Sequence, residues 1–143
     1  MNVLITWTVG AWMAANPAAG AGSMTFSIWG IAPKGGQVGC ALFFGREGYP
    51  MEADRAVQRT FSPIEDDEAT CRFEGLAPGD YALSVMHDED GDGEIDKNFF
   101  GIPTEGWATS NDAPPRAFGP PKWEDAKIDF DGGAFEQRIR MRY

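Results

Sequence analysis

Short stretches in which apolar and polar side chains alternate recur along the chain, and no stretch keeps a helical period. Successive side chains of a strand point to opposite faces, so this alternation is typical of strands with one buried face. In residues 79–88, one face consists of Tyr81, Leu83, Val85 and His87. The pattern predicts seven strands, within residues 24–30, 36–44, 55–62, 69–76, 79–88, 125–132 and 135–143.

About seven short strands separated by glycine- and proline-containing turns predict an all-β fold, a single antiparallel β-sandwich of prealbumin or immunoglobulin type. The alternation stops between residues 88 and 123, although this segment contains Phe99, Trp107 and Trp123. Loops of this length are uncommon in small domains unless they are functional or held in place. We therefore expect one long ordered loop.

The N-terminal segment carries no charged side chain before Lys34. An apolar run from Val3 to Ala15 is followed by small residues at Ala19-Gly20-Ala21, which is typical of a cleaved signal. We interpret residues 1–21 as a signal peptide and residues 22–143 as the β-sandwich domain. The protein is then exported, periplasmic or secreted, without a membrane span in the mature chain. The alternative is that the segment is an ordinary buried strand.

The two cysteines, Cys40 and Cys71, each fall on the apolar face of a predicted strand. An even cysteine count in an exported chain favours one disulfide bond. The alternative is two separate buried thiols.

The formal net charge is −10, with a sequence pI of about 4.4. This balance disfavours nucleic acid as a partner and suits divalent cations. Basic residues nevertheless alternate along the last strand, at Arg138, Arg140 and Arg142. We expect this row to face solvent or to protect a sheet edge, with an acidic partner as the alternative.

The stretch "HDEDGDGEID" places Asp88, Asp90 and Asp92 at alternate positions before Gly93. This is the order of an EF-hand-type calcium loop, in which alternate carboxylates converge and the glycine permits a sharp turn. We predict a Ca²⁺ site with these three aspartates as ligands, together with the backbone of Glu94 and the side chain of Asp96.

The twelfth position of this loop should be a bidentate glutamate, but it is Phe99. We therefore expect Glu105 to complete the calcium ligands from further along the chain. The alternative is a solvated acidic turn without an ion.

Three motifs resemble those of a known family. They are "GDYALSVMHDEDGDGEID" at 79–96, "GIPTEGWATSN" at 101–111 and "FGPPKWEDA" at 118–126. The chain is similar to the bacterial family called domain of unknown function 2141. The resemblance implies an exported β-sandwich and no established activity. The turn "GLAPGDYAL" also resembles one that is common in transthyretin-like and carboxypeptidase-regulatory-like sandwiches.

The motifs predict a non-catalytic module whose partner is a protein or glycan at the cell envelope. His87 is the only histidine, and its strand face favours a structural role. One alternative is a carbohydrate or small-ligand module that uses Trp107, Trp123 and Asn111. Another is a hydrolase that uses loop carboxylates such as Glu105.

Overall fold

A computed structural model describes residues 20–93 and 105–143. Most of the predicted signal peptide, and the predicted ligands Glu94 and Asp96, lie outside the described residues. The described part contains eight strands: β1 (Gly22–Trp29), β2 (Gln37–Phe44), β3 (Gln58–Ser62), β4 (Ala69–Leu76), β5 (Gly79–Asp88), β6 (Trp107–Thr109), β7 (Ile128–Phe130) and β8 (Ala134–Arg140). It also contains one α-helix, α1 (Trp123–Ala126), and two 3-10 helices, Ala53–Arg55 and Ser110–Asp112.

The strands form two packed sheets, which confirms the predicted all-β sandwich. One sheet has the order β4-β1-β8 and the other the order β3-β2-β5-β6, with β7 also paired to β5. Each of the seven predicted stretches overlaps a strand, and β6 is an addition within the predicted loop. One pair differs from the antiparallel expectation, because β1 and β8 are parallel, from Ser23 opposite Ala134 to Trp29 opposite Arg140.

The main core lies between the two sheets and is filled by every second side chain of their strands. Along β1 the inward side chains, Met24, Phe26 and Ile28, are completely buried. The facing sheet contributes Leu42 and Leu83, which are also completely buried. Burial of one such side chain stabilises the fold by about 1.5–3 kcal/mol. The alternation in the sequence therefore matches the faces that the sandwich buries.

A disulfide bond joins Cys40 of β2 to Cys71 of β4 and so links the two sheets across the core. Both cysteines are buried, and their Cα atoms are 6.5 Å apart. The predicted pairing is confirmed, and the alternative of two separate thiols is wrong. A cross-link between distant strands restricts the unfolded chain and thereby stabilises the folded one.

A second apolar cluster covers part of the outer face of the larger sheet. Its floor includes Phe43 of β2 and Ala82 of β5, and α1 covers it with Trp123 and Ala126. Tyr49 packs against this cluster and meets the rings of Phe43 and Trp123 edge-on. The middle of the larger sheet is therefore buried on both faces, which explains the nearly continuous apolar sequence of β2.

Candidate metal centre

The acidic loop begins at Asp88, the last residue of β5, whose side chain is completely buried. The antiparallel register of β2 and β5 places Asp88 opposite Gln37, the first residue of β2. A buried carboxylate is costly unless it is hydrogen-bonded or paired with positive charge. The groups around Asp88 therefore determine how much its burial costs.

Three N–H groups satisfy the Asp88 carboxylate. Gln37 Nε2 donates to Oδ2 at 3.0 Å, and the backbone N–H of Gly93 donates to the same oxygen at 2.8 Å. The backbone N–H of Asp92 donates to Oδ1 at 3.1 Å. Burial raises the pKa of Asp88, but the hydrogen bonds together outweigh it and hold the pKa below its ordinary value of 3.8. Asp88 is therefore a carboxylate at neutral pH.

Glu105 approaches the loop from the segment before β6 and is only 5% exposed. Its Oε2 accepts a hydrogen bond from the backbone N–H of Glu89 at 2.9 Å. The neighbouring Gly106 accepts a backbone hydrogen bond from His87 at 2.7 Å. A Cβ atom at Gly106 would lie 2.5 Å from the Tyr143 ring, so glycine is needed for this close approach.

These contacts bring three of the predicted ligands together. Asp88, Asp90 and Glu105 each offer a carboxylate oxygen, and the three oxygens lie within 4.8 Å of one another. Asp90 is exposed, whereas the other two are buried. Asp92 is exposed in the same loop and donates its backbone N–H to Asp88 and, at 3.3 Å, to Asp90 Oδ1.

The donor set limits the ions that could bind. Three carboxylates so close repel one another, and a divalent cation would relieve this repulsion. Carboxylate oxygens suit hard cations such as Ca²⁺ and Mg²⁺, whereas structural zinc sites usually include cysteine or histidine. The only histidine of the chain, His87, directs its ring nitrogens to Tyr143 and Gly35 and away from the carboxylates. The residues present fit an oxygen-ligated divalent cation.

His87 is completely buried, and both of its ring nitrogens have partners. Nε2 lies 2.7 Å from the carbonyl oxygen of Gly35, and Nδ1 lies 2.6 Å from the hydroxyl of Tyr143. The Tyr143 hydroxyl also accepts the backbone N–H of Ala32 at 2.9 Å. Nε2–H therefore donates to Gly35, and Nδ1 accepts from Tyr143. The geometry favours a structural role for this histidine.

Two neighbours of the site, Gln37 and Tyr143, were not among the residues predicted from the sequence. Antiparallel pairing of β2 with β5 could have identified Gln37, because the register follows from the two alternating stretches. No local pattern pointed to Tyr143, which lies 56 residues from His87.

The predicted ligand-binding tryptophans lie in different surroundings. Trp123 is 9% exposed and packs edge-on against Tyr49, with ring centroids 5.6 Å apart. Trp107 in β6 is half-buried, and the guanidinium of Arg142 lies 5.9 Å from its ring centroid. The structure therefore gives each indole its own partner within the protein.

Asn111 lies between α1 and β8, and its polar groups are bonded within the protein. Its Nδ2 donates to the carbonyl oxygens of Asp125 and Lys127, each at 3.0 Å. Its Oδ1 accepts from Gln137 Nε2 at 2.9 Å, and its backbone N–H donates to Gln137 Oε1 at 2.7 Å. Asn111 has a φ of 63°, a left-handed conformation that asparagine tolerates better than most residues. This geometry favours a structural role.

Comparison with known proteins finds one family. The family model described as "Uncharacterized protein conserved in bacteria (DUF2141)" matches residues 26–138, which is more than half of the chain. No curated protein and no solved structure matches the chain at a significant level.

Proposed function

The chain belongs to the DUF2141 family, and we propose that it is a non-catalytic β-sandwich module that binds Ca²⁺ at the end of β5. The ion would be held by Asp88, Asp90 and Glu105, and the bound ion would order the loop between β5 and β6. The earlier predictions of Asp92, Glu94 and Asp96 as further ligands belong to the same proposal.

The convergence of three carboxylates carries this proposal. Their oxygens lie within 4.8 Å of one another, although Asp88 and Glu105 are 17 positions apart in sequence and both are buried. Without an ion, such a cluster of like charges is destabilising, because burial lowers the local dielectric response. A divalent cation would convert this repulsion into attraction and would tie the loop to the segment before β6.

Calcium is the ion that suits this ligand set best. It accepts six to eight oxygen ligands in irregular geometry, which fits a loop that combines side-chain and backbone oxygens. Extracellular calcium modules bind with dissociation constants of about 10⁻⁴–10⁻³ M. Export would give this protein access to calcium at such concentrations.

Two observations support the proposal of export to the periplasm or the medium. The first is the apolar N-terminal sequence, and the second is the disulfide bond between Cys40 and Cys71, because such bonds persist in oxidising compartments. In residues 20–93 and 105–143, no helix is long and apolar enough to cross a membrane.

The absence of catalysis is part of the proposal and rests on the residues that could act as a base or nucleophile. Both ring nitrogens of His87 are engaged, as described above. Ser110 is completely buried, donates to the carbonyl oxygen of Ala126 at 2.6 Å and accepts the backbone N–H of Leu83 at 2.9 Å. Neither side chain is presented to a substrate. The hydrolase hypothesis and the Trp107–Trp123 carbohydrate hypothesis receive less support from the geometry.

Calorimetric titration with Ca²⁺ after treatment with a chelator tests the proposal, together with melting curves with and without the ion. We expect one binding site and a higher melting temperature, since calcium at about ten times its Kd stabilises the folded state by about 1.4 kcal/mol. Absence of both heat and a melting shift at millimolar calcium would contradict it.

A further inference from the structure

Arginine and tryptophan side chains that the calcium site does not involve lie together on the outer face of the smaller sheet and on β6 of the larger sheet, where Trp107 pairs with Arg142 beyond the end of β8. We call this surface the arginine–tryptophan face, and it consists of Trp29, Trp107, Arg138, Arg140 and Arg142. The three arginines occupy alternate positions and so share one side of β8 and its extension. From this arrangement we propose that the face binds an acidic polysaccharide, a sugar chain that bears sulfate or carboxylate groups.

The tryptophans hold the arginines in place. The guanidinium carbons of Arg138 and Arg140 each lie 5.3 Å from the centroid of the Trp29 ring. Arg142 lies over Trp107 in the same manner, at 5.9 Å. These distances are within the range of cation–π interaction. A guanidinium held in one orientation loses less entropy when it forms a bidentate pair with an anion.

Most of the guanidinium charge on this face is not neutralised by carboxylates of the described residues, so it can pair with an anionic ligand. Arg138 is 3.6 Å from Glu68, and both side chains are more than half exposed, so this pair is weak. Arg142 Nη2 donates to the carbonyl oxygen of Asp112 at 3.0 Å. Within residues 20–93 and 105–143, no carboxylate pairs with the guanidinium of Arg140 or Arg142. A ligand with regularly spaced anionic groups would complement this row in a chain whose net charge is −10.

The surroundings favour a sugar chain over an acidic peptide. On the same face, β1 presents half-buried hydroxyl side chains, Ser23, Thr25 and Ser27, which suit a hydroxyl-rich ligand; Thr25 Oγ1 accepts from Arg72 Nη1 at 2.9 Å and keeps its own O–H as a donor. An extended peptide usually binds by pairing its backbone with an open strand edge. Part of the β8 edge is already used, because Asp112 Oδ1 accepts the backbone N–H of Arg140 at 2.8 Å and Asn111 is bonded to the side chain of Gln137. Side chains, rather than backbone, are therefore the groups that this face offers.

Titration with dextran sulfate and with uncharged dextran tests the proposal. EDTA is present throughout, so that the result is independent of the calcium site, and the salt concentration is about 0.15 M to screen nonspecific attraction. We expect saturable binding of dextran sulfate and no binding of dextran. The double variant Arg138→Gln/Arg140→Gln should lower the affinity at least about tenfold, because each lost charge-assisted hydrogen bond has a substantial cost.

The control is Arg46→Gln/Arg59→Gln, which removes the same charge from exposed residues of the other sheet and its loop. We expect its affinity to change less than about twofold. The proposal is wrong if the wild type does not bind dextran sulfate, if dextran binds equally well, or if both double variants lose affinity equally. Polyglutamate that binds as tightly, with the same sensitivity to Arg138→Gln/Arg140→Gln, would assign the face to acidic proteins instead. Circular dichroism melting verifies that each variant is folded.

Discussion

Two acidic loops of this protein have similar composition and different structures. Residues 65–68, "EDDE", connect β3 to β4, and all four side chains are exposed. Their backbone forms a tight hairpin in which Asp66 and Asp67 have φ of 52° and 58°. The loop after β5 has a comparable density of carboxylates, but it buries Asp88 and draws Glu105 toward it. The density of acidic residues therefore does not by itself indicate an ion site.

The difference between the loops lies in what their carboxylates contact. In the hairpin, the backbone groups of Glu65 and Glu68 bond to each other at 2.8 and 3.0 Å, and the four carboxylates are exposed to solvent. In the loop after β5, the Asp88 carboxylate itself accepts the N–H groups that shape the turn. The aspartates of the first loop suit its turn conformation, because their short polar side chains tolerate left-handed φ. In the second loop, the carboxylates of Asp88 and Asp90 converge with that of Glu105.

The largest expected difference between the loops concerns calcium affinity. Asp88→Asn keeps the shape of the side chain and removes its charge, so we expect calcium to bind about 100-fold more weakly or worse. Asp67→Asn makes the same change in the hairpin and keeps a residue that tolerates positive φ, so its affinity should equal that of the wild type. Calorimetric titration compares them. Equal affinity in both variants would mean that Asp88 is not a ligand.

A substitution at Glu105 tests whether the segment before β6 contributes to the calcium site. We expect Glu105→Gln to weaken calcium binding about 10- to 100-fold, because one carboxylate is lost while the side chain keeps an oxygen. The matched change Glu65→Gln removes the same charge from the hairpin and should leave calcium binding unchanged. An unchanged affinity in Glu105→Gln would restrict the site to the loop after β5.

A substitution at Gln37 tests how much its hydrogen bond to Asp88 stabilises the protein when no ion is bound. In the presence of chelator, Gln37→Ala should lower the free energy of unfolding by about 1–2 kcal/mol, since the lost bond is to a charged group. The control is Gln58→Ala, which is also at the first position of a strand and donates to a neutral carbonyl, that of Glu74. We expect its loss to be smaller. Urea unfolding measures both variants, and equal losses would argue against a special bond at Asp88.

The smallest expected effect is on acid stability. The pKa of Asp88 is lowered in the folded state, so its contribution to stability is present above its ordinary pKa of 3.8. This contribution is lost as the pH falls from about 4 through the lowered folded pKa. With chelator present, the wild type should therefore lose more stability than Asp88→Asn between about pH 5 and pH 2. Urea unfolding at several pH values checks this, and parallel pH profiles would contradict it.

Much of the fold followed from local sequence patterns. The alternation in β1, β4 and β5 predicted which side chains enter the core, because that property depends only on strand geometry. The same alternation placed Cys40 and Cys71 on inward faces, and the disulfide is present. The expected outward direction of the arginine row is confirmed for Arg138 and Arg140, which are exposed, whereas Arg142 is half-buried.

Other features left no local signal. β6 has only three residues, which is too short to show a period of two, and its pairing with β5 comes from tertiary contacts. The parallel pairing of β1 with β8 depends on how the whole chain winds between the sheets. The large aromatic side chain of Trp123 indicated burial or ligand contact, but no local pattern showed what surrounds it. In the structure, α1 packs it against Tyr49.

The sequence by itself determined the strand positions, the inward faces and the order of carboxylates in the acidic loop, because each depends on residues close together in the chain. Only the tertiary structure decided that Asp88 lies beside Gln37, that Glu105 reaches the loop, and that Tyr143 holds His87. These contacts join residues that are distant in sequence. Their positions follow from sheet register and core packing, in which every strand takes part.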